Sequence, residues 1–363
     1  MICREEKDME PTANPLELIK YIPQPAFLVK DGVIIAVNPS ASALLISEGA
    51  SVSEMITLGA SDYAAFKSGK LYLELKAGRA WGSVCDDAHL FCMEENYSSP
   101  ALRAFALAAQ HLRTPLSTAV SGAEILMQND TMQENADLKQ YVGQINRSLY
   151  QMLRAICNMS DISQLGAQIN TKLELVNVSS VFDDIFEKAA HLARDSQRKL
   201  TFTGLKTNVD CAVDVQLLER IVLNLLSNAI KFSPTGDTIK STLKLKDKRL
   251  TFTIENNIQD SNAGFYSNAF NRFLREPGIE SGQTGIGLGM SVISRAVAAH
   301  NGTVLLDTTK KTGAKVAVSL PIRTEIKPEL KAPAILLEGY TGGIDNFLVE
   351  LSEVLPSNYY ESV

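Results

Sequence analysis

The chain has 363 residues, a formal net charge of −6 and a hydrophobic content of 45%. Such a length and composition indicate a globular protein of two or three domains and exclude a collagen-like or largely disordered chain. The acidic balance argues against nucleic acid and anionic membranes as partners, and without a visible apolar span or secretory signal we expect a cytoplasmic protein with no membrane contact.

The N-terminal region carries short apolar runs separated by turn signals. The Asp31–Gly32 dipeptide favours the tight turn of a β-hairpin and joins the first two predicted strands. Five short strands are predicted in all, at 25–29, 33–37, 71–75, 81–84 and 90–93. We therefore predict a small α+β domain over residues 15–95, preceded by a tail at 1–14.

Residues 98–166 change to a helical period. Apolar or small residues recur in steps of three and four along two stretches, which are separated by the polar segment 128–137. The two seams contain Leu102, Phe105, Ala109, Leu112, Leu116, Ala119, Ala123 and Leu126, and then Leu138, Val142, Ile145, Leu149, Met152, Ile156 and Met159. Two helices alone cover such seams poorly, so we predict a helical hairpin that forms a homodimer through residues 98–166. A hairpin packed on its own neighbours is the alternative.

Residues 173–323 alternate helices and strands, which predicts an α/β sandwich. The helices are expected at 178–194, 214–232 and 289–300, and the strands at 237–246, 249–256, 303–307 and 314–320. Residues 324–363 form an extension to which the sequence assigns no role, with a helical piece expected at 344–355. The predicted fold class is multidomain α+β: the small N-terminal domain, the two-helix dimerising hairpin and the sandwich.

The helix predicted at 214–232 carries an unusual polar face. Asn224, Asn228 and Lys231 are spaced by four and three residues, so they share one side of an otherwise apolar helix. Two carboxamides and an ammonium in such a setting are costly unless they meet polar partners. Magnesium and a triphosphate would satisfy them, because an amide oxygen is a hard ligand and a lysine neutralises phosphate. The alternative is a helix end whose polar residues are solvated.

A glycine run precedes the helix predicted at 289–300. Gly285, Gly287 and Gly289 alternate with apolar residues, and such glycines let backbone N–H groups approach an anion at a helix N-terminus. A flexible surface turn is the alternative for this run taken alone.

The motif order resembles a sensor histidine kinase of two-component signalling. The segments NLLSNAIKF, FNRF and GIGLGM follow one another, and LRTPLS precedes them on the heptad helix. The resemblance covers residues 98–323 and implies a dimerising phosphoacceptor hairpin followed by a Bergerat-type ATP-binding domain, in which the asparagine motif coordinates Mg²⁺, here through Asn228, and the phosphates of ATP. It also implies phosphate transfer from ATP to a histidine and then to the receiver domain of a response regulator. Residues 15–95 resemble a PAS-like sensor domain.

The phosphoacceptor motif departs from the family pattern. The family places its histidine five residues before the proline, and that position is Gln110 here, because the proline is Pro115. A glutamine amide is not a usable nucleophile, whereas the imidazole of the neighbouring His111 is. His111 stands where the family has its acidic helper, which makes it an acceptor candidate one residue out of register. The alternative is that His111 is a polar surface residue.

Two further positions bear on function. The family's adenine-binding aspartate is replaced by Asn256, and Ile258 replaces a glycine, so we expect weakened nucleotide binding. Thr114 matches the family position that orients water for dephosphorylation of the response regulator; its alternative is an N-cap before Pro115. Three functions follow: an active kinase that uses His111, a degenerate kinase that acts as a nucleotide-gated interaction module, and a response-regulator phosphatase that uses Thr114.

Overall fold

The computed structural model describes residue 16 and residues 19–85, 87–93, 100–129, 134–163, 171–258, 289–307, 313–324 and 344–361. Gly285, Gly287 and the FNRF segment lie outside these described residues. The chain divides into two compact units, Met1–Glu95 and Asn96–Val363. Within the described ranges, no helix has the length and apolar character needed to cross a membrane.

The N-terminal unit is an antiparallel sheet with three short helices. The strand order is β2–β1–β6–β5–β4, and β3 pairs with the outer side of β4. The strands are β1 Ala26–Lys30, β2 Val33–Val37, β3 Ile56–Leu58, β4 Lys70–Leu75, β5 Gly78–Cys85 and β6 Ala88–Met93, and the helices are α1 Pro39–Ser42, α2 Val52–Met55 and α3 Ala60–Ala64. The five strands expected from the sequence are therefore confirmed.

The first hairpin of this unit turns where the sequence predicts. Asp31 and Gly32 have φ angles of 52° and 78°, the left-handed conformation that two-residue hairpin turns require. β1 and β2 consequently pair in antiparallel register on either side. The stacked rings of Phe27 and Phe91, 5.1 Å apart, fill the centre of the unit. Its assignment as a PAS-like domain stays a prediction.

The second unit begins with a helical hairpin of α4 Pro100–Met127 and α5 Ala136–Ser163. Each predicted seam divides between two environments. In α4, Ala109, Leu116 and Ala123 are buried, whereas Leu112, Ala119 and Leu126 are exposed. In α5, Val142 and Ile156 are buried, and Leu138, Ile145 and Met152 are exposed. The hairpin therefore keeps an apolar stripe that its own two helices do not cover.

The sandwich follows the hairpin. A mixed sheet has the order β12–β13–β11–β10–β8, in which only β8 and β10 run parallel, while β7 and β9 form a separate antiparallel pair. The strands are β7 Glu174–Asn177, β8 Lys199–Thr203, β9 Asp210–Val213, β10 Thr238–Lys246, β11 Arg249–Asn257, β12 Thr303–Asp307 and β13 Gly313–Pro321. The helices are α6 Val178–Leu192, α7 Val215–Phe232 and α8 Gly289–Ala299.

An aromatic cluster joins the helix layer to this sheet. Phe186 of α6 stacks on Phe202 of β8 at 4.1 Å, and Phe182 meets Phe252 of β11 at 5.1 Å. The predicted strands and helices of the sandwich are confirmed with small changes in their ends. The helix expected at 178–194 ends at Leu192, after which residues 193–196 tighten into a 3₁₀ turn.

The C-terminal helix is shorter than expected. The sequence predicts a helical piece over 344–355, but α9 spans only Asn346–Glu350. Asp345 begins it by accepting a 2.8 Å hydrogen bond from the Phe347 N–H. After Glu350 the chain turns so that Leu351 and Leu355 enter a core shared with the helical hairpin, and this tertiary contact ends the helix.

Candidate functional site

Helix α7 carries the polar face that the sequence singles out. Asp214 begins the helix by accepting a hydrogen bond from the Leu217 N–H at 3.1 Å. The rest of the helix is almost wholly buried, and Asn224 is 0% exposed while Asn228 and Lys231 are partly buried. The sequence left open the alternative that these side chains are solvated at a helix end, and for Asn224 that alternative is therefore wrong.

The two asparagines converge on the start of α8. A Cβ at Gly289 would lie 3.2 Å from Asn224 Oδ1 and 3.7 Å from Asn228 Nδ2. The Asn228 amide also lies 3.9 Å from the sulfur of Met290. Any side chain at Gly289 would crowd the carboxamides, so glycine leaves a small polar cradle beside the N-terminus of α8. The structure thus brings together Asn224, Asn228 and Gly289.

A buried ionic cluster forms the other side of this face. The Glu350 carboxylate accepts hydrogen bonds from Asn224 Nδ2 at 2.9 Å and from Arg154 Nε at 3.1 Å. Arg220 Nε lies 3.2 Å from the second oxygen of Glu350. Arg154 also donates to Asn224 Oδ1 at 3.3 Å, so α5, α7 and α9 meet at one carboxamide. The polar partners of Asn224 within the described structure are therefore protein groups.

Lys231 has an acidic partner from the same C-terminal segment. Its ammonium donates to Glu353, whose other oxygen lies 3.3 Å from Arg154 Nη1. Burial by itself would raise the pKa of the Glu353 carboxyl, but Arg154 and Lys231 together outweigh burial and hold that pKa below its usual value. Glu353 is consequently ionised at neutral pH.

Asn256 lies at the end of β11. Its side-chain amide donates to the carbonyl of Asn257 at 2.7 Å, and the side chain is mostly buried. Asn257 is held in turn by Asp237, whose carboxylate accepts from both its backbone and side-chain nitrogens. Within the described residues, the carboxamide oxygen of Asn256 accepts no hydrogen bond, so it can accept one from a ligand.

The phosphoacceptor candidates lie on α4. His111 and Thr114 are both exposed, whereas Ala109 is buried. Gln110 stands between Ala109 and His111 in the sequence, and its side chain is outside the described part of the structure. Pro115 is inside α4, so Thr114 is in the helix interior and does not cap an N-terminus. The N-cap alternative for Thr114 is wrong. Among the described residues, no hydrogen bond or ion pair joins His111 or Thr114 to the asparagine face.

The hairpin end that carries His111 is nevertheless close to α7. Ala109 shares a core cluster with Ile156 and Cys157 of α5. On the same stretch of α5, Asn158 accepts a 3.0 Å hydrogen bond from Arg220 of α7, one of the residues around Glu350. The end of the hairpin near His111 therefore packs against the helix that carries the asparagines.

His89 and His300 each have hydrogen-bond partners within the fold. The Nδ1 atom of His89 lies 3.1 Å from the hydroxyl of Tyr63, and burial lowers the pKa of His89. His300 bridges two elements through backbone groups of Asp214 and Ala296. No group of histidine, cysteine and acidic residues suited to a metal ion occurs within the described ranges. The described cysteines Cys85, Cys92, Cys157 and Cys211 are free thiols.

Sequence reasoning missed four members of the site: Arg154, Arg220, Glu350 and Glu353. One local signal was available for Glu350, because an acidic residue between Val349 and Leu351 in an apolar run is costly unless it is buried with a partner. The identity of that partner could not be read from the sequence, because Arg154 lies almost two hundred residues earlier.

Two family models match the second unit in consecutive order. Residues 102–168 match the His Kinase A (phospho-acceptor) domain. Residues 213–324 match the histidine kinase-, DNA gyrase B- and HSP90-like ATPase. These two matches support a sensor histidine kinase of two-component signalling. The hairpin corresponds to its phosphoacceptor-type domain, and α7 with the asparagine face lies in its ATPase-type domain.

Curated relatives match over stretches of similar length. It is 27% identical over 235 residues to hybrid signal transduction histidine kinase D of Dictyostelium discoideum, covering 62% of this chain and 15% of the relative. It is 26% identical over 234 residues to sensor histidine kinase CusS of Escherichia coli K12, covering 64% and 46%. It is 29% identical to sensor histidine kinase TmoS of Ectopseudomonas mendocina, covering 60% and 22%. The chain thus spans less than half the length of each of these relatives.

Among solved structures, full-length ShkA in complex with AMPPNP has a TM-score of 0.48 and 22% identity to this chain, covering 62% of this chain and 47% of that one. The catalytic domain of histidine kinase ThkA has a TM-score of 0.35 and 16% identity, covering 42% and 97%.

Proposed function

We propose that this histidine kinase binds Mg²⁺·ATP at the asparagine face of α7 and transfers the γ-phosphoryl group to His111. The observation that supports the proposal most directly is the convergence of Asn224 and Asn228 on Gly289. A polar cradle that a single Cβ would fill, at the N-terminus of a helix, suits an anionic ligand with its cation.

The residues of the cradle fit the ligand. The carboxamide oxygen of Asn228 is a hard donor suited to Mg²⁺, and the ammonium of Lys231 suits a phosphate oxygen. When bound, Mg²⁺ would neutralise part of the triphosphate charge. Asn256 would receive the adenine amino group through its carboxamide oxygen. Gly285 and Gly287, which lie outside the described residues, would supply backbone N–H groups to the phosphates.

His111 would act as the nucleophile. A neutral ring nitrogen attacks the γ-phosphorus, the bond from that phosphorus to the bridging oxygen breaks, and ADP leaves with the electron pair. The attacking imidazole gives up one proton to solvent. His111 is exposed on α4, so its ring can be reached, and it lies at the hairpin end that packs against α7. The phosphoryl group would then pass to an aspartate on the receiver domain of a response regulator.

The labelling test uses γ-labelled ATP and magnesium. We expect an acid-labile, base-stable label that is lost in His111→Ala and retained in His191→Ala, because His191 is an exposed histidine on α6 outside the hairpin. A label that survives in His111→Ala would contradict the assignment of the acceptor. Nucleotide binding without any label would favour the degenerate kinase, a nucleotide-gated interaction module.

Response-regulator dephosphorylation is a second candidate function. The observation that favours it is the exposure of Thr114 inside α4, one helical turn after Gln110, where its hydroxyl can hold a water molecule. We expect Thr114→Ala to slow phosphate loss from a phosphorylated receiver domain. Thr118→Ala removes the exposed hydroxyl of the next turn and should leave the rate unchanged.

PAS-like sensing by residues 15–95, homodimerisation through 98–166 and a cytoplasmic location complete the proposal. The stripe of Leu138, Ile145 and Met152 supports the dimer, because three large apolar residues spaced by seven are exposed along α5.

A further inference from the structure

The C-terminal segment, residues 344–361, is docked by its side chains against the helical hairpin. Its apolar residues enter one core cluster with α4 and α5, in which the segment contributes Leu348, Val349, Leu351, Leu355 and Tyr360 and the hairpin contributes Ala109, Leu116, Val120, Tyr150 and Leu153. The rings of Tyr150 and Tyr360 meet edge to face at 5.0 Å. Burial of this kind gives the segment a defined position.

Hydrogen bonds from α5 fix the backbone of the same segment. Arg147 donates to the carbonyls of Ser352 and Glu353 at 3.1 and 3.2 Å. Gln151 donates to the Ser352 carbonyl at 3.0 Å, and Asn146 donates to the Tyr360 carbonyl at 3.2 Å. These contacts set the register in which the two glutamates face α7.

The two glutamates hold groups that a nucleotide would need. Glu350 accepts from Asn224 at 2.9 Å, and Glu353 accepts from Lys231. Carboxylate and phosphate oxygens are anionic acceptors that compete for the same donors. Residues 344–361 carry four acidic residues and no lysine or arginine, so a triphosphate brought to the same helix face would be repelled as well as deprived of donors.

We propose that residues 344–361 are an autoinhibitory segment that competes with Mg²⁺·ATP for the asparagine face of α7. The inference rests on the proposed nucleotide site. Because coupling between two ligands is reciprocal, releasing the segment strengthens nucleotide binding, and nucleotide binding loosens the segment by the same factor. A partner that removes the segment from α5 would thereby switch the kinase on.

Gly143 offers a way to release the segment without touching the nucleotide site. A Cβ at Gly143 would lie 2.5 Å from Glu361 Cγ and 3.1 Å from the Ser357 carbonyl oxygen. The larger side chain of Gly143→Gln would therefore displace the 3₁₀ turn at Ser357–Tyr360, near the end of the segment. Gly122→Gln is the matched control, because a Cβ at Gly122 on α4 meets nothing within 4 Å.

Glu353→Gln is a second route that removes one competing carboxylate. It leaves the more deeply buried group of Glu350, Arg154 and Arg220 in place, so the fold should survive the change. Glu361→Gln is its matched control, since Glu361 is an acidic residue of the same segment that packs on Gly143 of the hairpin.

The experiment measures Mg²⁺·AMPPNP affinity by calorimetry in the full chain, together with amide hydrogen exchange of residues 344–361. We expect Gly143→Gln and Glu353→Gln to bind about tenfold more tightly than the wild type, within the range usual for coupled sites, and both controls to match the wild type. Exchange of the segment should rise in Gly143→Gln, and also in the wild type when the nucleotide is added.

The possible failures are distinct. If the wild type binds nucleotide and neither Gly143→Gln nor Glu353→Gln changes the affinity, competition is overturned while the nucleotide site stands. Weaker binding in both variants also overturns it, because the segment would then support the site. If none of the chains binds nucleotide, the proposed function fails, and the inference that rests on it fails too.

Discussion

A buried histidine shows how single residues tie the elements of the sandwich together. His300 Nε2 accepts a 3.0 Å hydrogen bond from the Asp214 N–H, and Nδ1 donates to the Ala296 carbonyl at 2.7 Å. Only the neutral ring can accept and donate in this way. Burial is the main reason that the pKa of His300 is lowered; the nearby Asp214 opposes that shift and Arg323 adds to it. His300 thus holds the start of α7 against the end of α8.

This geometry predicts that the second unit loses stability in mild acid. The unfolded chain binds a proton at His300 near pH 6.5, whereas the folded chain binds it only at lower pH, so stability falls as the pH drops below about 6.5. The slope is at most about 1.4 kcal/mol per pH unit for one such group. Urea denaturation at pH 7.5 and 5.5 should show that His300→Gln loses less unfolding free energy at the lower pH than the wild type does. An equal loss in the two proteins would contradict the assignment of the acid-sensitive group to His300.

Arg154 is the residue that links the hairpin, α7 and the C-terminal segment. Its side chain is 6% exposed and that of its partner Glu350 is 1% exposed. Because removing one member of a buried ion pair leaves a desolvated charge, Arg154→Met should cost about 3–5 kcal/mol in the free energy of unfolding. Arg147→Met loses only hydrogen bonds to backbone carbonyls and should cost about 1 kcal/mol. Urea denaturation of both variants measures these two costs, and a similar fall in unfolding free energy in the two variants would contradict the prediction.

At the scale of elements, helices and strands were largely predictable because their signals are local. The Asp31–Gly32 turn between β1 and β2 illustrates this, since both residues adopt the positive φ angles that a tight hairpin needs. The shortened α9 was not predictable. Its end is imposed by contacts of Leu351 and Leu355 with a hairpin about two hundred residues away, and no local pattern reports such a contact.

The hairpin seam illustrates a second limit. Seven-residue spacing identified the apolar positions of α4 and α5, but it could not tell which positions face the partner helix and which face outward. Burial of Ala109, Leu116 and Ala123, with exposure of Leu112 and Leu126, resolves the two sets. The outward set is the surface on which homodimerisation would depend.

We therefore expect the outward stripe to control the oligomeric state. Ile145 is 56% exposed and lies midway between Leu138 and Met152 on α5. A charge placed there would be buried in a dimer, so Ile145→Asp should convert a dimer into a monomer in light scattering coupled to gel filtration. Gln144→Asp adds the same charge at an exposed neighbouring position and should remain dimeric. A monomeric wild type, or a dimeric Ile145→Asp, would contradict the predicted interface.

At the scale of the whole molecule, the candidate site is assembled from four distant parts of the chain, which are α5, α7, the start of α8 and the C-terminal segment. The asparagines of α7 were predictable, because polar residues on a buried helix face are conspicuous in a sequence. Their partners Arg154, Glu350 and Glu353 were not, because only the packed second unit brings α5 and the C-terminal segment to α7. The same packing turns a C-terminal extension without an assigned role into a candidate regulator.

The proposed nucleotide site is tested by a calorimetric titration of the full chain with Mg²⁺·AMPPNP. The titration compares the wild type with Asn228→Ala and with Asn208→Ala, which changes an exposed loop asparagine. The proposed site at the convergence of Asn228 and Gly289 predicts saturable binding that Asn228→Ala weakens by about tenfold or more, because a polar contact to a charged ligand is lost, and that Asn208→Ala leaves unchanged. Binding that is equal in all three chains would place the nucleotide elsewhere, and no binding in any of them would contradict the nucleotide site itself.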